Sequence, residues 1–151
     1  MRSRNARRTL VPQVRMTSSD LEQIGKRGFY RPSARVSFEQ AVEMVAGAMR
    51  EARALGLVDL LVNTKGLVGF SQPSIFARYN LAVEWARNSG SNLRVALVAR
   101  AEVIDPQKIG VLMAQNRGVA GDVFTNEAEA LAWLDSHLIS ATGTFQGSRP
   151  T

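Results

Sequence analysis

Val58-Asp59-Leu60-Leu61-Val62-Asn63, followed by Thr64-Lys65-Gly66-Leu67-Val68-Gly69-Phe70-Ser71-Gln72-Pro73 and a helical pattern from Ser74, is the stretch that decides how this chain folds. The opening run is almost continuously apolar, as in an inner strand covered on both faces. The following stretch mixes Gly66, Gly69 and Pro73 with polar residues and reads as a loop. A strand, a loop and a helix in this order form part of an α/β unit. In open α/β folds, ligands and partners meet the protein at the carboxyl ends of the strands. The loop is therefore the first place to look for function.

Upstream, Ser37 to Leu55 reads as a helix. Ser37 can cap it, and Gln40 stands at the capping-box spacing. Phe38, Ala41, Val42, Val45, Ala48, Met49 and Ala52 recur at helical spacing and make one apolar face. Gly56 suits a left-handed stop. Downstream, a second helix runs from about Ser74 to Arg87, with Ser71 as candidate cap and Pro73 in its first turn. Leu93 to Ala99 is a second inner strand. Asp105-Pro106 predicts the start of a third helix, and Gly118 its end. Val123-Phe124-Thr125 is a short third strand. Asn126 with Glu129 repeats the capping-box spacing before a last helix, Glu127 to Leu138. The alternation predicts an α/β domain: a single mixed or parallel sheet of about four strands with about four helices packed against it.

Composition narrows the function classes. The chain has 151 residues, 45% of them hydrophobic, enough for one domain with a real core. It has no cysteine, which excludes disulfides, thiolate metal sites and thiol chemistry; a cytoplasmic location is consistent with this. The apolar runs are too short to span a bilayer. An N-terminus without an apolar core before a small-residue cleavage site argues against a secretory signal. Net charge is +6. Residues 1–35 carry nine Lys/Arg against Asp20 and Glu22, a local balance of +7 that leaves the remainder at −1. Residues 1–35 are thus expected to be a basic, poorly ordered extension, residues 36–139 the domain, and residues 140–151 a flexible tail. Nucleic-acid or anionic-membrane contact through the arm is a lesser expectation. The Arg/Ser-rich leader also suits a misassigned start, with Met16 as a later one.

The segment Ser37 to Leu138 resembles the STAS domain, in particular the bacterial SpoIIAA-like branch grouped with SEC14-like domains. The matching features begin with Phe38-Glu39-Gln40-Ala41-Val42, Leu60-Leu61-Val62-Asn63 and Gly66-Leu67-Val68-Gly69-Phe70. Arg94-Val95-Ala96-Leu97-Val98 and Val123-Phe124-Thr125 follow, with Glu129-Ala130-Leu131-Ala132-Trp133-Leu134 at the end. The resemblance implies a non-enzymatic regulatory or protein-binding module. It also implies a phosphorylated serine at the helix start after the central strand, where added negative charge alters the docking surface. The family's Asp-Ser-Ser-Gly-like switch run is replaced here by Phe70-Ser71-Gln72-Pro73-Ser74, and Asn63 stands where Asp is common.

Ser71 and Ser74 are the candidate phosphoacceptors; helix capping is the plainer role for both. Asn63, Thr64, Gly66, Gly69, Phe70 and Arg78 are candidate ligand or partner contacts. Arg78 lies one turn beyond Ser74, placed to hold an anion or simply to be solvated. Gly66 and Gly69 can admit a ligand to the backbone or merely permit a turn. Asp59, Asp105 and Asp122 are scattered, and His137, the lone histidine, has no evident partner. No metal, cofactor or enzymatic activity is therefore expected. Two readings compete: a protein-binding module switched at Ser71 or Ser74, and a carrier or sensor of a small apolar, lipid-like ligand. The second rests on the apolar Leu67-Val68-Gly69-Phe70 loop beside Ile75-Phe76. A protein partner and homo-oligomerisation through an unprotected sheet edge complete the expectations.

Overall fold

A computed structural model describes residues 21–90 and 92–136. In chain order these form β1 (Leu21–Ile24), β2 (Arg27–Tyr30), β3 (Ser33–Arg35), α1 (Phe38–Ala54), β4 (Asp59–Asn63), β5 (Gly66–Val68) and α2 (Ile75–Ser89). They are followed by β6 (Arg94–Val98), a 3-10 turn (Ala101–Val103), α3 (Ile109–Gln115) and β7 (Ala120–Phe124). A last helix, α4, occupies residues 127–136. The protein is an α/β fold: the main sheet has five strands in the order β1-β2-β4-β6-β7, and β3 and β5 form a separate pair. β1 is antiparallel to β2, and every other pairing in the main sheet is parallel.

Local chemistry accounts for the elements that the sequence predicts. Ser37 and Gln40 form the reciprocal capping box of α1. Val45, Ala48, Met49 and Ala52 then press one face of α1 onto the core. Gly56 takes φ +74°, the left-handed conformation that releases the chain into β4. Asn126 accepts the Glu129 N–H at 2.9 Å at the start of α4.

The strand order explains the layering. β2, β4, β6 and β7 are laid down in one direction across the sheet, and right-handed crossovers made in one direction place their helices on one face. Tyr30, Leu60, Val62 and Val95 point to that face, where they meet α1 and α2. Their alternates Phe29, Leu61, Ala96 and Val98 point to the other, where Ala130 and Leu134 of α4 cover them. Both faces of β4 are thus buried, as its continuous apolar run requires.

Three expectations need correction. The domain begins well before residue 36: residues 21–35 build β1, β2 and β3. Arg27 and Arg31 look like part of a basic arm, yet Arg27 bonds to buried Asp59 and Tyr30 is 1% exposed. With this hairpin the main sheet has five strands, in keeping with the expected mixed sheet of about four, and β3–β5 adds a second small sheet. The cap of α2 is Ser74, not Ser71. Ser74 Oγ accepts from Ala77 N–H at 3.0 Å, which leaves Pro73 just outside the helix. Finally, Asp105-Pro106 opens a turn rather than α3. Asp105 Oδ2 accepts the N–H groups of Gln107 (2.9 Å) and Ile109 (3.3 Å), and Lys108 is left-handed at φ +54°, so regular helix begins only at Ile109. Residues 1–20, the C-terminal stretch 140–151 and His137 lie outside the described residues.

Candidate functional site

The stretch expected as an open loop after β4 is mostly tied down. Gly66 starts β5, which pairs in parallel with β3. A Cβ at Gly66 would stand 2.7 Å from the Pro32 carbonyl oxygen, and one at Gly69 2.6 Å from that of Val36. Gly69 also has φ +112°, a conformation side chains resist. The two glycines therefore serve close backbone packing. Asn63 is likewise engaged: its Nδ2 donates to Glu127 Oε2 at 2.7 Å and its Oδ1 accepts the Lys65 N–H at 3.0 Å. Thr64 Oγ1 donates to the Val98 carbonyl at 2.8 Å.

Past this framework the chain walls a cavity. It lies on the three-helix face at the carboxyl ends of β4, β6 and β7, is partly open, and has a volume of about 90 Å³. Phe38, Ala41, Val42, Val45 and Met49 of α1 form one wall, and Arg78, Leu81 and Trp85 of α2 another. Thr64, Leu97, Ala99 and Val123 form the floor, and Val103, Ile104, Asp105, Lys108 and Val111 close the side. The lining is overwhelmingly apolar. Phe70 stands at the rim, edge-on to Phe38 at 5.6 Å between centroids and under the Arg100 guanidinium at 5.7 Å. The geometry thus brings Thr64, Phe70 and Arg78 together and leaves Asn63, Gly66 and Gly69 in supporting positions.

Arg78 is the unusual member of this wall. It is 8% exposed, and its side chain makes no hydrogen bond or ion pair with any described residue. The other charged side chains at the cavity have hydrogen-bond partners, which leave the negative charge of Asp105 in place. Lys108 Nζ pairs with Asp122 at 3.1 Å, and Asp105 accepts its two backbone N–H groups. The Arg78 side chain is largely covered, but its nitrogens keep some contact with solvent, unlike the fully buried Trp85 Nε1. Its helical position relative to Ser74 was legible; its burial was not, because that depends on α3 packing against α2.

The serines divide. Ser74 is exposed but its oxygen is engaged as the cap. Ser71 is exposed and makes no hydrogen bond among the described residues. Next to them Ile75 and Phe76 are 63% and 72% exposed.

Two charged networks lie outside the cavity. At the amino ends of the strands, Asp59 (2% exposed) holds Arg27 through bonds of 2.9 and 3.3 Å and faces Arg94 at 3.7 Å. The Asp59 hydrogen bond raises the Arg27 pKa above its ordinary value, against the opposing effect of burial. Near the carboxyl end of β4, Arg31 forks onto Glu127 at 2.7 and 3.0 Å. That hydrogen bond, helped by Asn63, lowers the Glu127 pKa. Among the described residues there is no group of His, Cys, Asp or Glu side chains that could hold a metal ion, and no helix is long and apolar enough to cross a membrane.

Compared with protein-family models, with curated proteins and with solved structures, the chain finds no match.

Proposed function

We propose that this protein is a binding module of STAS-like architecture that carries or senses a small apolar ligand in the cavity above the carboxyl ends of β4, β6 and β7. The observation behind this reading is the cavity itself: a concave, partly open space with an apolar wall drawn from three helices and the sheet. Protein interiors are otherwise close-packed, and ligand sites are concave, apolar and few. The position at the carboxyl ends of parallel strands agrees with the common placement of ligands in α/β folds. A cytoplasmic role fits a chain without cysteine.

The test is organic extraction of natively purified protein, followed by mass spectrometry, on the wild type and on Val42→Phe. Val42 lines the cavity and is only half-buried, so the larger ring enters the cavity without rebuilding the core. The wild type should yield a stoichiometric small compound and the variant, still folded, should yield none. Empty extracts from cells grown under several conditions would count against ligand carriage.

A second reading, a partner-binding switch at Ser71, draws support from one feature. Ser71 is exposed beside the exposed apolar side chains of Ile75 and Phe76. A phosphate there would put roughly two negative charges beside an apolar docking surface. On this reading Ser71→Glu changes capture of a native partner and Ser71→Ala does not. Equal capture by both variants would remove the switch from Ser71.

A further inference from the structure

The cavity lining carries two polar side chains without a hydrogen-bond partner among the described residues, Trp85 and the charged Arg78. Arg78 is 8% exposed, lines the cavity and has no partner among the described residues. A guanidinium does not lose its proton in proteins, so its charge persists in a largely apolar setting. Burying a charge is costly unless it is paired. Among the described residues no carboxylate lies within ion-pair distance of Arg78. Asp105 is turned to the backbone N–H groups of Gln107 and Ile109, and Lys108 is compensated by Asp122. Among the described residues the cavity lining therefore holds a cation, Arg78, that no ion pair compensates.

We propose that the ligand is a monoanionic carboxylate with a short apolar body, the carboxylate seated on Arg78 and the body among Val42, Val45, Leu81 and Val111. This assignment rests on the ligand-binding reading above and names its chemistry. A single negative charge suits Arg78, the lining cation that has no ion-pair partner among the described residues, while the Asp105 carboxylate in the same lining disfavours further negative charge. A phosphate monoester would bring nearly two charges and further oxygens into a wall with few polar atoms to receive them. Geometry selects a carboxylate, whose two oxygens match the planar fork of an arginine. Volume selects a short body: the space is about 90 Å³, and a dry cavity of roughly 150 Å³ already holds a benzene ring.

The experiment titrates pentanoate, 1-pentanol and pentyl phosphate into the full chain and reads the methyl NMR shifts of Val42, Leu81 and Val111. Wild-type protein is expected to bind pentanoate about tenfold or more tightly than pentanol, the usual scale of a charged hydrogen bond. Pentyl phosphate should bind more weakly than pentanoate. In Arg78→Met the preference for pentanoate disappears while the response to pentanol remains. The comparison of the three probes on the wild type stands by itself should that variant fold poorly. Pentanol binding as tightly as pentanoate, or pentyl phosphate binding more tightly, would overturn the carboxylate and leave the ligand-binding reading intact. No response to any of the three would remove both.

Discussion

Asp59 and Arg78 are opposite solutions to one problem, a charge taken out of water. Asp59 lies at the amino end of β4 and is compensated on two sides by Arg27 and Arg94. Removing Asp59 leaves Arg94 without this partner and Arg27 with only the exposed Asp135, 2.9 Å away, which costs more than an exposed ion pair contributes. Asp59→Ala is expected to destabilise the fold by about 2–3 kcal/mol in urea titration. That is below the range for a fully buried pair, because Arg27 and Arg94 keep some solvent contact. The cavity at the other end of the strands should keep its ligand response in that variant. Arg78 has no such compensation among the described residues. From sequence the two residues look alike: one charged side chain in an otherwise apolar pattern. Only their surroundings distinguish them: Asp59 is ion-paired, and Arg78 lines the cavity.

At the scale of elements, the chain spends short polar contacts on fastening its loops. Arg31, just after β2, and Asn63, at the end of β4, both reach Glu127 at the first turn of α4. They tie that helix to the face opposite the cavity. Arg31 holds the Glu127 carboxyl below its ordinary value of 4.5. A carboxylate with a lowered folded pKa contributes its full stabilisation above the unfolded value and loses it as pH falls through the folded one. Wild-type stability should therefore decline below about pH 4.5 with a contribution from this pair. Glu127→Gln should cost about 0.5–1 kcal/mol at neutral pH, as expected for a half-exposed pair. It should also show a shallower acid decline, which denaturant titration at pH 7 and at about pH 3.5 would reveal. Equal acid slopes in the two proteins would place the acid sensitivity elsewhere. The β3–β5 pair is fastened differently, by backbone approach at Gly66 and Gly69. This is why a segment with loop composition becomes a strand.

For the whole molecule, the decisive addition is the hairpin of β1 and β2. It supplies Tyr30 to the core, Arg27 to Asp59 and a parallel neighbour for β4. Deleting residues 1–35 should abolish cooperative unfolding in thermal melts followed by near-ultraviolet circular dichroism, since one side of β4 would lose its pairing strand. A cooperative melt after that deletion would show that residues 36–139 are a self-sufficient domain, as composition alone suggests. The molecule also divides its labour by end. The buried Asp59 cluster occupies the amino ends of β4 and β6, while the cavity sits at the carboxyl ends, where helix starts and loops leave room.

The sequence by itself determined the α/β class, the order of most elements and several of their ends. Ser37 with Gln40, Gly56, and Asn126 with Glu129 act across only a few positions, and the burial periods of α1 and β4 can be counted along the chain. The tertiary structure decided the rest, because it depends on residues far apart. Arg27 meets Asp59 from 32 positions away and Arg31 meets Glu127 from 96. Those pairings turn a stretch that reads as a charged arm into sheet. The cavity likewise exists only where α1, α2 and α3 converge over the strand ends. That convergence, not any local motif, left Arg78 largely buried and without an ion-pair partner among the described residues.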